Sequence, residues 1–308
     1  MPRILLAVHA HPDDESSKGA GTLARYADEA VRTVIVTCTG GEAGEILNPA
    51  MDKPGNLERM PELRKEELAK ALEILKVSEH YFLGYRDSGM PDTETNRHPE
   101  AFVNAPLDEA VGRLVRIIRE ERPQVLVTYD ENGDYPHPDH IRTHEISVAA
   151  FDAAGDPGRY PDAGPPWQPL KLYYHASWSL HRLETIHAGA AARGIDSPYG
   201  KWLQEWEKER EEGTAAAWRE PKITTQVDVG GWLDRRRDAL IAHATQIDPD
   251  GFWFAVPDAV IAEVYPWEDY TLVRSLVPGA DPGARADADS GPVEHDLFGG
   301  IDADGNPL

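Results

Sequence analysis

Ile4-Leu5-Leu6-Ala7-Val8-His9-Ala10-His11-Pro12-Asp13-Asp14-Glu15-Ser16-Ser17-Lys18-Gly19-Ala20-Gly21-Thr22-Leu23-Ala24 is the stretch that decides the fold. Its first five residues form a short apolar run bounded by polar ones, the pattern of a buried parallel strand. The small residues from Gly19 to Ala24 open a helix. The His and Asp cluster therefore falls where a strand hands over to a helix. In open α/β sheets this carboxyl end of a strand is where sites are built. His11 and Asp14 offer one nitrogen and one oxygen donor three positions apart, on a turn fixed by Pro12. That donor set suits a borderline metal such as zinc. Neighbouring side chains diverge, so Asp13 cannot easily face an ion held by Asp14. It can face a water on that ion, where a carboxylate is a general base. The same residues also fit a capped turn, with Asp13 or Asp14 as N-cap and His11 incidental.

Outward from this stretch, short apolar runs alternate with helical patterns. Strands are expected at 4–8, 33–38, 80–83, 125–129, 171–176 and 223–229. Helices are expected at 22–30, 58–75, 107–121, 178–193, 201–212 and 232–246. The alternation implies βαβ units and an α/β fold: a Rossmann-like, mainly parallel sheet flanked by helices, with a smaller mixed α/β C-terminal part. Three parts are expected: a catalytic part over 1–170, a subdomain completing the substrate pocket over 171–278, and an acidic, mostly flexible tail over 279–308. Within that tail, Leu297-Phe298-Gly299-Gly300-Ile301 can dock.

The 308 residues are 28% charged and 41% hydrophobic, ordinary for a soluble globular chain. The net charge of −23 argues against nucleic acid, whose phosphates need Lys and Arg, and against anionic membrane surfaces. No apolar stretch of ~18 residues and no signal-peptide pattern is visible, so a cytoplasmic protein is expected. Cys38 is the one cysteine, which excludes an intrachain disulfide and fits a reducing compartment. It lies in the apolar run Val34-Ile35-Val36-Thr37-Cys38 and reads as a buried structural thiol. Trp178, Trp202, Trp206 and Trp218 read as packing residues, part of which a hydrophobic ligand could use.

A second stretch, Tyr135-Pro136-His137-Pro138-Asp139-His140, follows a strand and begins a helix. Two histidines three apart at a helix start can point to different sides of one pocket, one toward a metal and one toward a substrate. Asp139 or a backbone carbonyl could orient the ligating ring through its other nitrogen. Together the two stretches supply His11, Asp14 and His140 as three ligands, leaving a position for water as catalytic zinc sites do. Elsewhere, Arg64 fits a helix surface and Asp87 fits a turn cap in Asp87-Ser88-Gly89. His243 fits either a packed core or a pocket wall. Lys18 near a helix start calls for a carboxylate partner, in the protein or in a substrate.

The two histidine motifs resemble those of the LmbE-like (PIG-L) zinc N-deacetylases. The resemblance is nearest to the branch that cleaves mycothiol S-conjugates. It includes Gly44-Glu45-Ile46-Leu47-Asn48-Pro49-Ala50-Met51-Asp52, Tyr129-Asp130-Glu131-Asn132-Gly133, Ala242-His243-Ala244-Thr245-Gln246-Ile247-Asp248-Pro249 and Asp296-Leu297-Phe298. It implies one zinc per chain, or ferrous iron, held by His11, Asp14 and His140. It implies Asp13 as general base, His137 as a protonated oxyanion stabiliser and Tyr135 as a mobile group reaching the carbonyl oxygen. Glu45, Arg64 and Asp87 match positions that hold the cyclitol–sugar part of a substrate. Lys18 matches a lysine of the conjugate-cleaving branch. The chain departs at Asp134, where the family usually has a second glycine.

The activity so implied is hydrolysis of the amide between cysteine and glucosamine in a mycothiol S-conjugate. The products are a mercapturic acid and glucosaminyl-inositol. The alternative is N-deacetylation of an acetylglucosaminyl compound, either the mycothiol precursor or a natural-product intermediate. In both cases the partner is a small thiol conjugate or amino sugar. A metal-dependent sugar-binding protein without turnover is the reading from another class.

Overall fold

The computed structural model describes residues 2–212, 220–280, 282 and 294–308. Its centre is a seven-stranded sheet built from β1 (Ile4–His9), β2 (Arg32–Thr39), β3 (Glu79–Tyr85), β4 (Val125–Thr128), β5 (Lys171–His175), β6 (Thr225–Asp228) and β7 (Trp267–Ser275). The order is β3-β2-β1-β4-β5-β7-β6. The first five strands are parallel, and β7 runs antiparallel to both β5 and β6.

Every residue of β1 is buried, because both faces of the sheet are covered. Ile4, Leu6 and Val8 join Leu126 in a core with Leu114 and Ile118 of α4 (Leu107–Glu121) and Ile146 and Phe151 of α5 (Pro138–Ala154). Leu5 and Ala7 join Val125 and Val127 on the other face. There they meet Leu23 of α2 (Ala20–Asp28), Leu75 of α3 (Met60–Leu75) and Ala239 of α8 (Leu233–Ala242). This alternation is the period-two consequence of a strand with two apolar faces.

Chain order reverses at the middle of the sheet. From β1 the chain steps to β2 on one side, while β4 pairs with β1 on the other in the register Leu5–Val125 to Ala7–Val127. The carboxyl ends of β1 and β4 are thus neighbours at a topological switch point, where α/β sheets open a crevice. Both histidine motifs leave from these two ends.

The expected strands and helices are present, with end shifts of a few residues. The elements not expected include α9 (Asp258–Val264) and β7. The helix expected over 232–246 stops at Ala242, and His243 turns away at φ −81°, ψ 58°. The predicted docking of the C-terminal segment is present, with Leu297 and Phe298 buried in the core. Tyr26 Oη donates to Asp296 at 2.6 Å, and Lys171 Nζ lies 2.5 Å from Glu294. Residues 281 and 283–293 of the expected flexible tail, and Trp218, lie outside the described residues. Cys38 is buried, and burial pushes its thiol up to about 12, as a structural cysteine requires. No helix among the described residues is long and apolar enough to cross a membrane.

Candidate active site

His11 lies just past β1, Asp14 opens the single-turn helix α1 (Asp14–Ser17), and His140 lies in the first turn of α5. Their ligand atoms all come within 4.8 Å of one another. His11 Nδ1 is 3.5 Å and His140 Nε2 is 3.4 Å from the same oxygen, Asp14 Oδ2. A second cluster, His11 with His137 and Asp139, meets the same distance limit. The donors separate the two. Asp139 already accepts from the Ser88 N–H at 2.9 Å and from the Ser88 hydroxyl. His140 Nε2 is buried with no hydrogen-bond partner among the described residues. A buried orphan nitrogen is costly unless something fills its place. The set His11, Asp14, His140 therefore fits a metal ion, with two imidazoles and one carboxylate.

Each ligating ring is held through its other nitrogen, as metal-binding imidazoles usually are. His140 Nδ1 lies 2.9 Å from the Gly133 carbonyl, so Nδ1 carries the proton and Nε2 is left as the acceptor. His11 Nε2 lies 3.2 Å from Asp139 Oδ2 and 3.7 Å from Asp87 Oδ1. Burial lowers the His11 pKa, but Asp87, Asp139 and Asp14 together raise it well above the usual value. Asp139→Asn would set an amide N–H₂ against the ring N–H. It is expected to weaken metal affinity by about 10–100-fold, read by competition with a chromogenic chelator. An unchanged affinity would remove Asp139 from the orienting role.

Asp13 stands beside the cluster with backbone φ 113°, a left-handed conformation rarely adopted by non-glycine residues and frequent at functional sites. Its carboxylate accepts from Arg64 Nη2 at 2.8 Å. Burial and the neighbouring Asp14 raise its pKa, opposed by Arg64. Arg64 itself is buried and also grips the carbonyls of Gly41, at 2.9 Å, and Pro12. A Cβ on Gly41 would come within 2.4 Å of the Arg64 guanidinium. Gly41, with Gly44, thus makes room for Arg64, a positioning residue for Asp13.

Glu15 secures the same turn from below. It accepts the Asp13 N–H at 3.0 Å, while His243 Nε2 lies 2.7 Å from its other oxygen. Both side chains are fully buried. Burial opposes the Glu15 charge, but His243 holds its pKa down at about 2. His243 is thus a buried partner of Glu15 and does not form a wall of the pocket.

From the second motif, the His137 ring stands edge-on to His11, with centroids 4.6 Å apart. Its Nδ1 accepts the Asp139 N–H at 3.2 Å, so Nε2 carries the proton. Burial and His11 push its pKa down to about 4. That direction disfavours the protonated ring the resemblance implies and leaves Nε2 a neutral donor. Tyr135 is 43% exposed, with its ring 4.5 Å from that of His140. Burial and Asp14 push its phenol up to about 12, so it stays a donor.

Asp134 adopts φ 65°, the left-handed region that glycine enters without strain. Burial and Asp130 outweigh Lys18 and push its pKa up to about 7, and its Oδ2 has no partner among the described residues. The folded state therefore holds the extra proton between pH 3.8 and about 7. Stability falls as pH rises through that window, and the cost is complete above it. Asp134→Asn tolerates the same backbone without the charge. It is expected to raise Tm by about 2–4 °C at pH 8 and not at pH 4. Equal gains at both pH values would contradict this.

Lys18 finds its carboxylate within the protein: Nζ donates to Asp14 Oδ1 at 2.9 Å. Asp87 accepts the Gly89 N–H at 2.8 Å, the turn cap expected of it, while also facing His11. Glu45 is exposed on the loop after β2, tied by its carbonyl to Gln246 at 3.0 Å. Asp139, one of two groups expected to orient the ligating ring of its own motif, instead faces His11, while the Gly133 carbonyl faces His140; Glu15 was legible only as a member of its motif. Their partners lie 128 and 228 residues away in sequence.

Side chains that fit a metal converge at two strand tips beside a carboxylate and flanking donors, and the relatives place the chain among hydrolases of amide C–N bonds. The chain belongs to the PIG-L family, whose model, described as GlcNAc-PI de-N-acetylase, matches residues 6–151. It is 47% identical over 303 residues to the mycothiol S-conjugate amidase of Streptomyces coelicolor, covering 96% of this chain and 97% of that protein. It is 40% identical over 305 residues to the 1D-myo-inositol 2-acetamido-2-deoxy-alpha-D-glucopyranoside deacetylase of Streptomyces avermitilis, covering 97% of each. Its fold is like that of N,N'-diacetylchitobiose deacetylase from Pyrococcus horikoshii, with TM-score 0.59, 18% identity, and 88% and 84% of the two chains covered.

Proposed function

We propose that this chain is a zinc-dependent amidase that cleaves the cysteinyl-glucosamine amide of mycothiol S-conjugates, releasing a mercapturic acid and glucosaminyl-inositol. The observation that carries the chemistry is the orphaned His140 Nε2 facing the Asp14 oxygen that His11 also faces, with Asp13 alongside. The near full-length likeness to the Streptomyces coelicolor amidase supports the substrate. The lone buried cysteine fits a cytoplasmic setting.

His11, Asp14 and His140 would hold the ion, which when bound acidifies water and polarises the amide carbonyl. Asp13, steered by Arg64, takes the proton of the attacking water. Neutral His137 donates from Nε2 to the carbonyl oxygen as it gains charge, and the Tyr135 phenol adds a second donor from the exposed side. The proton taken by Asp13 passes to the departing amine. Lys18 fixes the orientation of Asp14. Glu45, exposed on the loop after β2, and Asp87, buried beside His11, are left to meet the polyhydroxylated part of the substrate.

The test offers metal-loaded protein an S-benzyl conjugate and the N-acetylated precursor in competition. Amine release is expected with kcat/KM at least about tenfold higher for the conjugate, beyond what uniform binding of the shared sugar explains. The reverse preference would assign the chain to the deacetylases, the reading that the 40% identical relatives favour.

A further inference from the structure

A cavity of about 50 Å³ is lined in part by Ser17, Lys18 and Gly19, the residues that follow the Asp14 turn. Lys18 lines it and also contacts Asp14, so the cavity begins one side chain from the reaction centre. Its other walls include Trp178, Trp253, Arg182 and Arg236. Arg236 lies over the Trp253 ring, 5.7 Å from its centroid, and makes no hydrogen bond or ion pair with any described residue. Arg182 stands near it, and burial together with that like charge lowers the Arg236 pKa against the opposing pull of Glu268 and Asp258. The two acids on the wall are already engaged. Glu268 caps the start of α2 through the Gly21 and Thr22 amides, and Asp269 accepts from Gln226 and Tyr265. His175 Nε2, also on the wall, is buried with no hydrogen-bond partner among the described residues. In a chain of net charge −23, a half-buried guanidinium that feels Glu268 and Asp258 only at longer range, with no direct ion pair among the described residues, leaves its donor fork open to an anion supplied from outside.

We infer that this cavity is a subsite for the sulfur-linked group of the substrate, selecting an aromatic group that carries a carboxylate. The inference rests on the amidase reading above. A cavity of this volume holds a carboxylate but not a ring, since benzene needs one about three times larger. The carboxylate pairs with Arg236, while the ring lies at the mouth against Trp178 and Trp253. An acetyl group is too short to reach past Lys18, so the subsite acts on conjugates alone.

The experiment compares S-benzyl and S-(4-carboxybenzyl) conjugates of the same thiol on the metal-loaded enzyme. The wild type is expected to favour the carboxylated probe in kcat/KM by about tenfold, the worth of a charge-assisted hydrogen bond. Arg236→Gln is expected to abolish that preference while leaving the S-benzyl rate within about twofold. An equal effect on both probes, or on neither, overturns the subsite. Should Arg236→Gln fail to fold, Arg236→Lys keeps the charge without the planar fork and is expected to lose about threefold of the preference. An unchanged preference there also overturns it. If neither conjugate is cleaved, the amidase reading fails, and calorimetric titration of S-(4-carboxybenzyl)-N-acetylcysteine amide decides the subsite separately. About tenfold weaker binding by Arg236→Gln supports it, and equal or absent binding overturns it.

Discussion

Asp13→Asn is expected to lower kcat by about 10²–10⁴-fold, the usual worth of a positioned general base, with metal content unchanged. The substitution is well isolated from folding. Asparagine tolerates left-handed backbone nearly as readily as aspartate, so φ 113° is no new burden. The Glu15 contact uses the backbone N–H and survives. The Arg64 contact can persist to the amide oxygen. What is lost is the capacity to take a proton, since Asp13 stands beside the cluster without being aimed at the ligands or paired with an imidazole. Metal per chain and kcat are measured on the same preparation. A kcat within tenfold of the wild type would falsify the role of Asp13.

His140→Ala is expected to empty the site. Removing one of three ligands takes bound metal toward zero. Loss of an electrophile worth several kcal/mol lowers the rate by about 10³-fold or more. Added zinc should not restore it, whereas wild-type protein stripped with a chelator should recover. His144→Ala is the matched control, one helical turn further along α5, with its Nδ1 on the Tyr129 carbonyl at 3.0 Å. It should retain metal. If His140→Ala binds one metal per chain as tightly as the wild type, the ion sits in the cluster of His11, His137 and Asp139.

The half of the fold that places the site was legible because its strands are buried on both faces. Apolar runs such as Ile4 to Val8 have one reading when flanked by a turn and a helix start. β7 was not legible, because Glu268 and Asp269 interrupt its apolar pattern with buried carboxylates that work at long range. Glu268 caps α2 across 247 residues, and no local pattern announces such a contact. The site divides in the same way. His11, Asp14, His140 and Asp13 follow from donor chemistry at strand tips. The enclosure of Arg64 and His243 does not, because a cation's partner is fixed by tertiary packing. Asp134 was visible as an oddity of sequence, and its φ of 65° gives the oddity a physical meaning.

The Glu15–His243 pair joins the first motif to the end of α8, 228 residues later, through a contact closed to solvent. Its consequence is felt in recombination between relatives. A hybrid that takes its amino-terminal half from this chain inherits an acid that must be answered by an imidazole from the other donor. Crossovers between the two motifs and α8 are therefore constrained to parents that agree at both positions, however freely the surface loops are exchanged.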